Sequence, residues 1–193
     1  MNKIQEHYNS GSGEWDRLDR HKIEFEMTKR IFDKYMPENA TVLDVGGGPG
    51  RYSIYLARKG HEVTLVDLCF NHVEQAIAKA KEAGIELKST VQGNALELDK
   101  LQLEDKYDVV LCMGPIYHLP EEADRVEAIN QCMNLLKENG LLIVSFITSY
   151  APIICCLKKD PENISQQMAD FDEFLDDGRY YVREGRDLPM RIL

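Results

Sequence analysis

The sequence predicts an α/β protein built on a doubly wound, mainly parallel sheet. Short apolar runs alternate along the chain with longer amphipathic stretches, and three of those stretches end on glycine, a common helix terminator. The apolar runs are continuous, as in strands that are buried on both faces. Strands that alternate with helices are joined by right-handed crossovers into a parallel sheet, which gives this fold class.

The N-terminal part, residues 1–37, is predicted to form a helical cap. Residues 1–14 are polar, and a helix is expected over 15–36 because Pro37 follows it. The residues placed on one face of this helix are Leu18, Phe25, Thr28, Phe32 and Tyr35. Whether Tyr8 and Trp15 pack or close over a ligand is left open.

The elements of the core, residues 38–148, follow in order. The first strand begins at Thr41, and further strands are expected at 61–66, 86–91, 107–112 and 141–147. Helices are expected at 50–59, 71–83 and 121–139, each followed by a glycine. The last helix is expected to place Val126, Ile129, Met133 and Leu136 on one face.

The C-terminal part, residues 149–193, differs from the core in pattern. It reads as a loop up to residue 161 and then as a helix over 163–175 with apolar residues on one side. Two interpretations stay open: an insertion that forms a lid over a pocket, or an incomplete C-terminal part. The whole of 1–193 is interpreted as one domain, which suits its length.

The stretch 41–52, TVLDVGGGPGRY, carries the strongest functional signal. A strand, a turn rich in glycine and a helix follow one another, so a ligand can approach the backbone closely and face the helix N-terminus. The glycine spacing does not fit the dinucleotide fingerprint, and no Gly-Lys-Ser/Thr ends the turn as in a phosphate P-loop. The alternative is a glycine-rich turn that holds no ligand.

The pattern D-x-G-x-G-x-G, from Asp44 to Gly50, resembles motif I of the class I S-adenosylmethionine-dependent methyltransferases. The resemblance extends over about 15–148 and implies a Rossmann-like methyltransferase fold with S-adenosyl-L-methionine as cofactor. The segments 41–52 and 114–119 are similar to those of bacterial members with unassigned small-molecule specificity. The C-terminal strand hairpin of that family is not recognisable in the sequence, so either it is missing or residues 180–193 replace part of it. The cofactor-binding residues expected from this stretch are Asp44, Gly46, Gly47, Gly48, Gly50 and Tyr52.

Two further segments are expected at the same ligand. Asp67 ends the second strand, 17 residues after Gly50, where a carboxylate accepts ribose hydroxyls. Leu68 is expected beside the adenine ring. Asn94 and Ala95 follow the third strand, where the resembling family often has an acid or amide that reaches the exocyclic amine of adenine. The resemblance therefore implies this role for the Asn94 carbonyl, although an ordinary turn explains Asn94 equally well.

The segment after the fourth strand, CMGPIYHLP, is expected to border both cofactor and acceptor. Met113 and Gly114 are placed at the cofactor. His118 is either a general base or a structural histidine, and Tyr117 is a second candidate for catalysis. The segment lacks the signatures of methyltransferases that act on nucleic-acid amino groups or on cytosine carbon, which favours a small-molecule acceptor.

Composition limits the partners. The net charge of −10 argues against bulk nucleic acid and anionic membranes as partners. Five cysteines, mostly in apolar runs, indicate reduced buried thiols in a cytoplasmic protein, and the polar N-terminus does not look like a signal peptide. No His and carboxylate cluster has a metal-like spacing, so no metal is predicted. The oligomeric state is left open, with a homodimer among the alternatives.

The resemblance implies transfer of a methyl group to a small-molecule acceptor by direct displacement. S-adenosyl-L-homocysteine is then the product, and the protein mainly positions the two reactants. Two alternatives remain. One is another nucleotide-linked enzyme on the same fold, such as a polyamine synthase or a short dehydrogenase. The other is a cofactor-binding module without catalysis.

Overall fold

The computed structural model describes residues 13–104, 106–148, 150–159, 161–163, 179–181 and 189–191. Its strands are β1 (Thr41–Val45), β2 (Glu62–Asp67), β3 (Ser89–Gln92), β4 (Tyr107–Cys112), β5 (Leu136–Val144), β6 (Arg179–Tyr181) and β7 (Pro189–Arg191). The first five form one parallel sheet in the order β3-β2-β1-β4-β5.

The described residues also form six α-helices and four short 3₁₀ helices. The α-helices are α1 (Arg17–Arg20), α2 (Lys22–Tyr35), α3 (Arg51–Arg58), α4 (Phe70–Glu82), α5 (Glu122–Asn134) and α6 (Ala151–Lys159). The 3₁₀ helices are Glu14–Asp16, Leu98–Lys100, Pro115–His118 and Pro161–Asn163.

Both faces of the sheet are covered, as the continuous apolar runs predict. Leu43 of β1 packs in one cluster with Ala128 and Cys132 of α5. Its neighbour Val42 packs in a second cluster with Phe32 of α2. Because successive side chains of a strand point to opposite faces, β1 is buried from both sides and the doubly wound fold is confirmed.

The N-terminal cap is broken, where the sequence predicts one helix. His21 separates α1 from α2 with φ −109° and ψ 53°, which is not a helical conformation. The Arg17 guanidinium reaches across this break to the Glu24 carboxylate, with N–O distances of 2.8 and 2.9 Å. The predicted end of the helix is confirmed, because Met36 before Pro37 is extended.

The boundary between α5 and β5 was predicted wrongly. The helix ends at Asn134 and the strand begins at Leu136, so Gly140 lies inside β5 and does not terminate a helix. Residues between Leu136 and Leu141 bulge out, since these two pair with Tyr107 and Val109, only two residues apart on β4.

The predicted apolar face of α5 is confirmed only in part, since Ile129 packs against the core and Leu136 is buried, although Leu136 lies in β5. Val126 and Met133 are exposed, whereas Ala128 and Cys132 are fully buried. The small side chains of Ala128 and Cys132 let α5 approach the sheet closely. A search of the sequence for large apolar side chains does not identify the face that they form.

Within the described residues, the C-terminal part has one helix where the sequence predicts a loop. Helix α6 occupies a stretch interpreted as loop, with Pro152 as its second residue, a position that leaves the helical hydrogen bonds intact. The helix predicted over 163–175 lies outside the described residues, apart from residue 163. Strands β6 and β7 pair antiparallel in a small sheet of their own, separate from the main sheet. The division into 1–37, 38–148 and 149–193 stays a prediction.

The cysteines agree largely with expectation. All five are thiols outside any disulfide, and only Cys155 among them is exposed. Cys112 and Cys132 pack in the core on one face of the sheet.

A polar contact joins three strands at the edge opposite the carboxyl ends of β1 and β4. The Asp108 carboxylate accepts hydrogen bonds from Thr41 N–H at 2.9 Å and Thr41 Oγ1 at 2.8 Å. Lys137 Nζ of β5 donates to the same carboxylate at 2.9 Å. The Thr41 backbone donor, with Lys137 and the Thr41 hydroxyl, lowers the pKa of Asp108 to about 2 against the opposing effect of burial.

We predict that Asp108→Ala lowers the free energy of unfolding by about 1–3 kcal/mol, because it leaves charge-assisted donors without their acceptor. Since the folded pKa lies below the unfolded value of about 3.9, this contribution is complete above pH ~4 and is lost as the pH falls towards 2. Urea unfolding at pH values from about 6 to about 3 measures it. Asp99→Ala, an exposed carboxylate, is the control, and a wild-type advantage independent of pH would contradict the assignment.

Candidate functional site

The turn between β1 and α3 is held against the end of β2. Gly46 N and Gly47 N both donate to Val66 O, at 2.8 and 3.2 Å. Gly46 has a φ of +71°, and a Cβ on it would lie 2.6 Å from Pro115 Cδ. Glycine is therefore required at this position both by the backbone conformation and by the close approach of the segment after β4.

The other glycines of the turn have different surroundings. Gly48 faces open space, since the nearest atom that a Cβ at this position would meet is Glu14 Cγ, at 4.0 Å. Gly50 packs against Ala76 of α4 and does not line the cavity that contains the other predicted residues. Gly50 therefore packs against the core side of the turn. Its predicted contact with the cofactor stays a prediction.

Asp67 links the turn to the neighbouring strand and helix. Its Oδ2 accepts a hydrogen bond from Gly48 N at 2.8 Å. Its Oδ1 accepts one from Cys69 N at 2.9 Å and lies 3.2 Å from His72 Nδ1. The residue is 7% exposed, yet it borders the cavity, so its carboxylate is fixed in place beside the glycine turn.

Asp44 provides a second buried carboxylate in the cavity wall. Its Oδ2 accepts a hydrogen bond from Ser53 Oγ at 2.6 Å. Burial raises the pKa of Asp44 to about 6; the Ser53 hydrogen bond opposes this shift, and the charge of Asp67 adds to it. A cation bound in the cavity therefore favours the ionised form of Asp44.

The segment after β3 supplies Asn94 and Ala95 to the same cavity. Asn94 Oδ1 accepts a hydrogen bond from Leu96 N at 3.1 Å, which fixes the side chain in a turn with its own backbone. One lone pair of that oxygen remains for a ligand.

The segment after β4 forms a further part of the cavity wall. Met113 and Gly114 border the cavity, and the following 3₁₀ helix carries Tyr117 and His118, whose ring centroids are 4.7 Å apart. Burial raises the pKa of Tyr117 to about 12, with Arg17 opposing and nearby acidic residues adding. The Tyr117 hydroxyl is therefore protonated at neutral pH and can donate a hydrogen bond.

The N-terminal cap reaches the cavity through Glu14, Arg17 and Leu18. Arg17 is paired with Glu14 and Glu24. Arg17 was not among the site residues predicted from the sequence, because the break at His21 that presents it was not visible in the helical pattern.

Trp15 lies outside the cavity lining, between two core helices. Arg51 of α3 and Lys79 of α4 lie 4.9 and 5.2 Å from its ring centroid. Arg51 also pairs with Asp19 at 2.8 Å. These cation–π and ionic contacts fasten the cap to the helices around the site.

The predicted site residues converge, with the exception of Gly50. Those that line the cavity are Asp44, Gly46, Gly47, Gly48, Tyr52, Asp67, Leu68, Asn94, Ala95, Met113, Gly114, Tyr117 and His118. They come from the carboxyl ends of β1, β2, β3 and β4, where ligands bind in open α/β sheets.

Asp67, Cys69 and His72 also place three ligand-type atoms within 4.8 Å of one another. A metal would need Cys69 as thiolate, yet burial and the charge of Asp67 raise the pKa of this thiol to about 12. Asp67 Oδ1 already interacts with two nitrogen atoms. We interpret the cluster as a hydrogen-bonded one, and the expected lack of a metal stays a prediction.

Comparison with known proteins identifies the family. A family model described as "Methyltransferase domain" matches residues 42–140, about half of the chain. The chain therefore belongs to the class I S-adenosylmethionine-dependent methyltransferases.

Curated relatives agree on methyl transfer and differ in the atom named. The chain is 38% identical over 108 residues to the ubiquinone biosynthesis O-methyltransferase of Xylella fastidiosa (strain 9a5c). This alignment covers 56% of this chain and 42% of that protein. It is 31% identical over 143 residues to the glycine/sarcosine N-methyltransferase of Parasynechococcus marenigrum (strain WH8102). That alignment covers 72% of this chain and 50% of the relative. The chain thus spans about half the length of these relatives.

Solved structures support the fold. The PH0226 protein from Pyrococcus horikoshii OT3 has a TM-score of 0.67 at 20% identity, covering 89% of this chain and 75% of that one. The magnesium protoporphyrin IX methyltransferase of Synechocystis PCC 6803, solved with bound SAH, has a TM-score of 0.61 at 22% identity, covering 97% of this chain and 95% of that one.

We predict that Gly46→Ala is more destabilising than Gly84→Ala. Both glycines have positive φ, which costs an alanine about 1–2 kcal/mol, but only at Gly46 does a Cβ meet another residue. The clash with Pro115 adds about 1–3 kcal/mol. Urea unfolding of the two variants measures the difference, and equal losses would show that the turn and the segment after β4 are not in tight contact.

Proposed function

We propose that this chain binds S-adenosyl-L-methionine and transfers its methyl group to a small-molecule acceptor. The observation that carries the proposal is the buried carboxylate of Asp67, the last residue of β2. It accepts a hydrogen bond from Gly48 N in the glycine turn that follows β1. A carboxylate in this position accepts ribose hydroxyls. Membership of the methyltransferase family selects the cofactor.

The residues around the cavity fit the parts of this cofactor. Asp67 faces the ribose, and Leu68, Asn94 and Ala95 surround the adenine. Asp44 and the glycine turn take the methionine part, where Asp44 offsets positive charge. Arg17 is the cation we assign to the carboxylate end, since it lines the same cavity.

When bound, the cofactor supplies an electrophilic methyl group. The chain's own residues hold the acceptor in line and exclude water, so proximity and orientation provide much of the rate. We assign His118 as the base that removes the acceptor's proton. Tyr117 orients the acceptor by donating a hydrogen bond, because its raised pKa rules it out as a base at neutral pH.

We further propose that the protein acts in the cytoplasm. Within the part of the chain that the structure describes, no helix combines the length and apolar character that a membrane crossing requires. The homodimer, and the exclusion of nucleic acid and membrane partners, stay predictions from the sequence.

Calorimetric titration with S-adenosyl-L-homocysteine tests the cofactor assignment. We expect micromolar binding, no comparable binding of NAD, and a loss of about 1–3 kcal/mol in Asp67→Ala, the cost of removing a charge-assisted hydrogen bond. Asp99→Ala, away from the cavity, is the control and should bind like the wild type. Preference for NAD would favour another nucleotide-linked enzyme on the same fold.

The base assignment predicts that His118→Gln lowers kcat by about a hundredfold while the affinity for S-adenosyl-L-homocysteine stays within about twofold. Tyr117→Phe should mainly raise KM for the acceptor. Methyl transfer is measured across small hydroxyl and amino compounds, with glycine and sarcosine included. Unchanged kcat in His118→Gln would make His118 structural, and cofactor binding without turnover on any acceptor would favour the non-catalytic module.

A further inference from the structure

His72 is a buried residue of the cavity wall to which neither the sequence motifs nor the proposed reaction assigns a role. It is the third residue of α4 and is 4% exposed. Its Nδ1 lies 3.2 Å from Asp67 Oδ1, and both side chains border the cavity. The sequence pattern did not reveal it, because a histidine in the first turn of an amphipathic helix carries no signal by itself.

The chemistry of the pair fixes the direction of the hydrogen bond. An ionised carboxylate only accepts, so the imidazole carries its proton on Nδ1 and donates to Oδ1. A carboxylate has about four lone-pair sites, and three are taken, one by each of Gly48 N, Cys69 N and His72 Nδ1. The remaining site is on Oδ2, the oxygen that also contacts the glycine turn.

The electrostatic setting explains why a side-chain donor is needed. Asp67 is buried beside a second acid, Asp44, and the charge of Asp67 acts on Asp44. Cys69, the other titratable neighbour, keeps its thiol proton. A buried carboxylate with another acid nearby is stabilised by N–H donors, and His72 is the side chain that supplies one.

We propose that His72 is a positioning residue for the ribose-binding carboxylate: its Nδ1–H holds Oδ1 so that Oδ2 is presented to the ribose of the cofactor. This inference rests on the proposed function. His72 acts through Asp67 and is not itself a catalytic residue. Cofactor affinity therefore depends on the identity of residue 72 through one hydrogen bond.

The test uses three substitutions of different geometry. An asparagine amide nitrogen occupies nearly the place of Nδ1, whereas a glutamine amide nitrogen extends towards the place of Nε2. We expect His72→Ala and His72→Gln to weaken binding of S-adenosyl-L-homocysteine about tenfold, and His72→Asn to stay within about threefold of the wild type. Titration calorimetry measures the affinities, and urea unfolding reports whether each variant is folded.

A double-mutant cycle separates positioning from general structural support. In the Asp67→Ala background, His72→Ala should change affinity by less than about twofold, because the hydrogen bond it removes no longer has an acceptor at residue 67. Equal losses in the Ala, Gln and Asn variants, or additive losses in the cycle, overturn the proposal. If His72→Ala does not fold, the Asn and Gln pair decides. Absence of binding by the wild type instead contradicts the proposed function itself.

Discussion

The hydrogen bonds to the Asp67 carboxylate hold the candidate site together. Through this one side chain, β2 is tied to the glycine turn by Gly48 N and to the start of α4 by Cys69 N. A charge that is 7% exposed is costly unless its oxygens are paired, so these donors are a condition for burying it. The same requirement fixes the turn next to the strand end, which gives the cavity its shape.

The charge distribution of the cavity follows from this arrangement. Asp44 and Asp67 place two acids under the turn, and the raised pKa of Asp44 reflects burial first and the neighbouring charge second. The N-terminal cap contributes Arg17, whose charge is balanced by Glu14 and Glu24. A ligand that carries cationic groups is better matched to this wall than a polyphosphate, because acidic side chains line it and no lysine follows the glycines of the turn.

The sequence predicted the parts of the fold that depend on local pattern. The strand, glycine turn and helix around 41–52 were recognisable because glycine spacing and strand composition are local signals. Asp67 was identified because its position at a strand end fixes its location in a parallel sheet. Gly50 was assigned to the ligand by its motif, but it packs beneath the turn on Ala76.

The wrong or missing predictions concern strand pairing and side-chain contacts, which the periodic pattern of the sequence does not show. The strand β5 takes over residues assigned to a helix because pairing with β4 outweighs their helical periodicity, and Asn139 adopts a positive φ of 60° in the bulge. The cap breaks at His21, and Arg17 forms ionic contacts with Glu14 and Glu24, which lie on either side of it in the sequence. His72 contacts Asp67 across the short connection between β2 and α4, five residues along the chain.

The most direct test of the central claim is a crystal structure of this chain with S-adenosyl-L-homocysteine. We expect a ribose hydroxyl within hydrogen-bonding distance of Asp67, with the adenine beside Leu68 and Ala95 and the amino-acid part over the glycine turn. A ligand bound elsewhere, or bound here with its ribose away from Asp67, would contradict that claim.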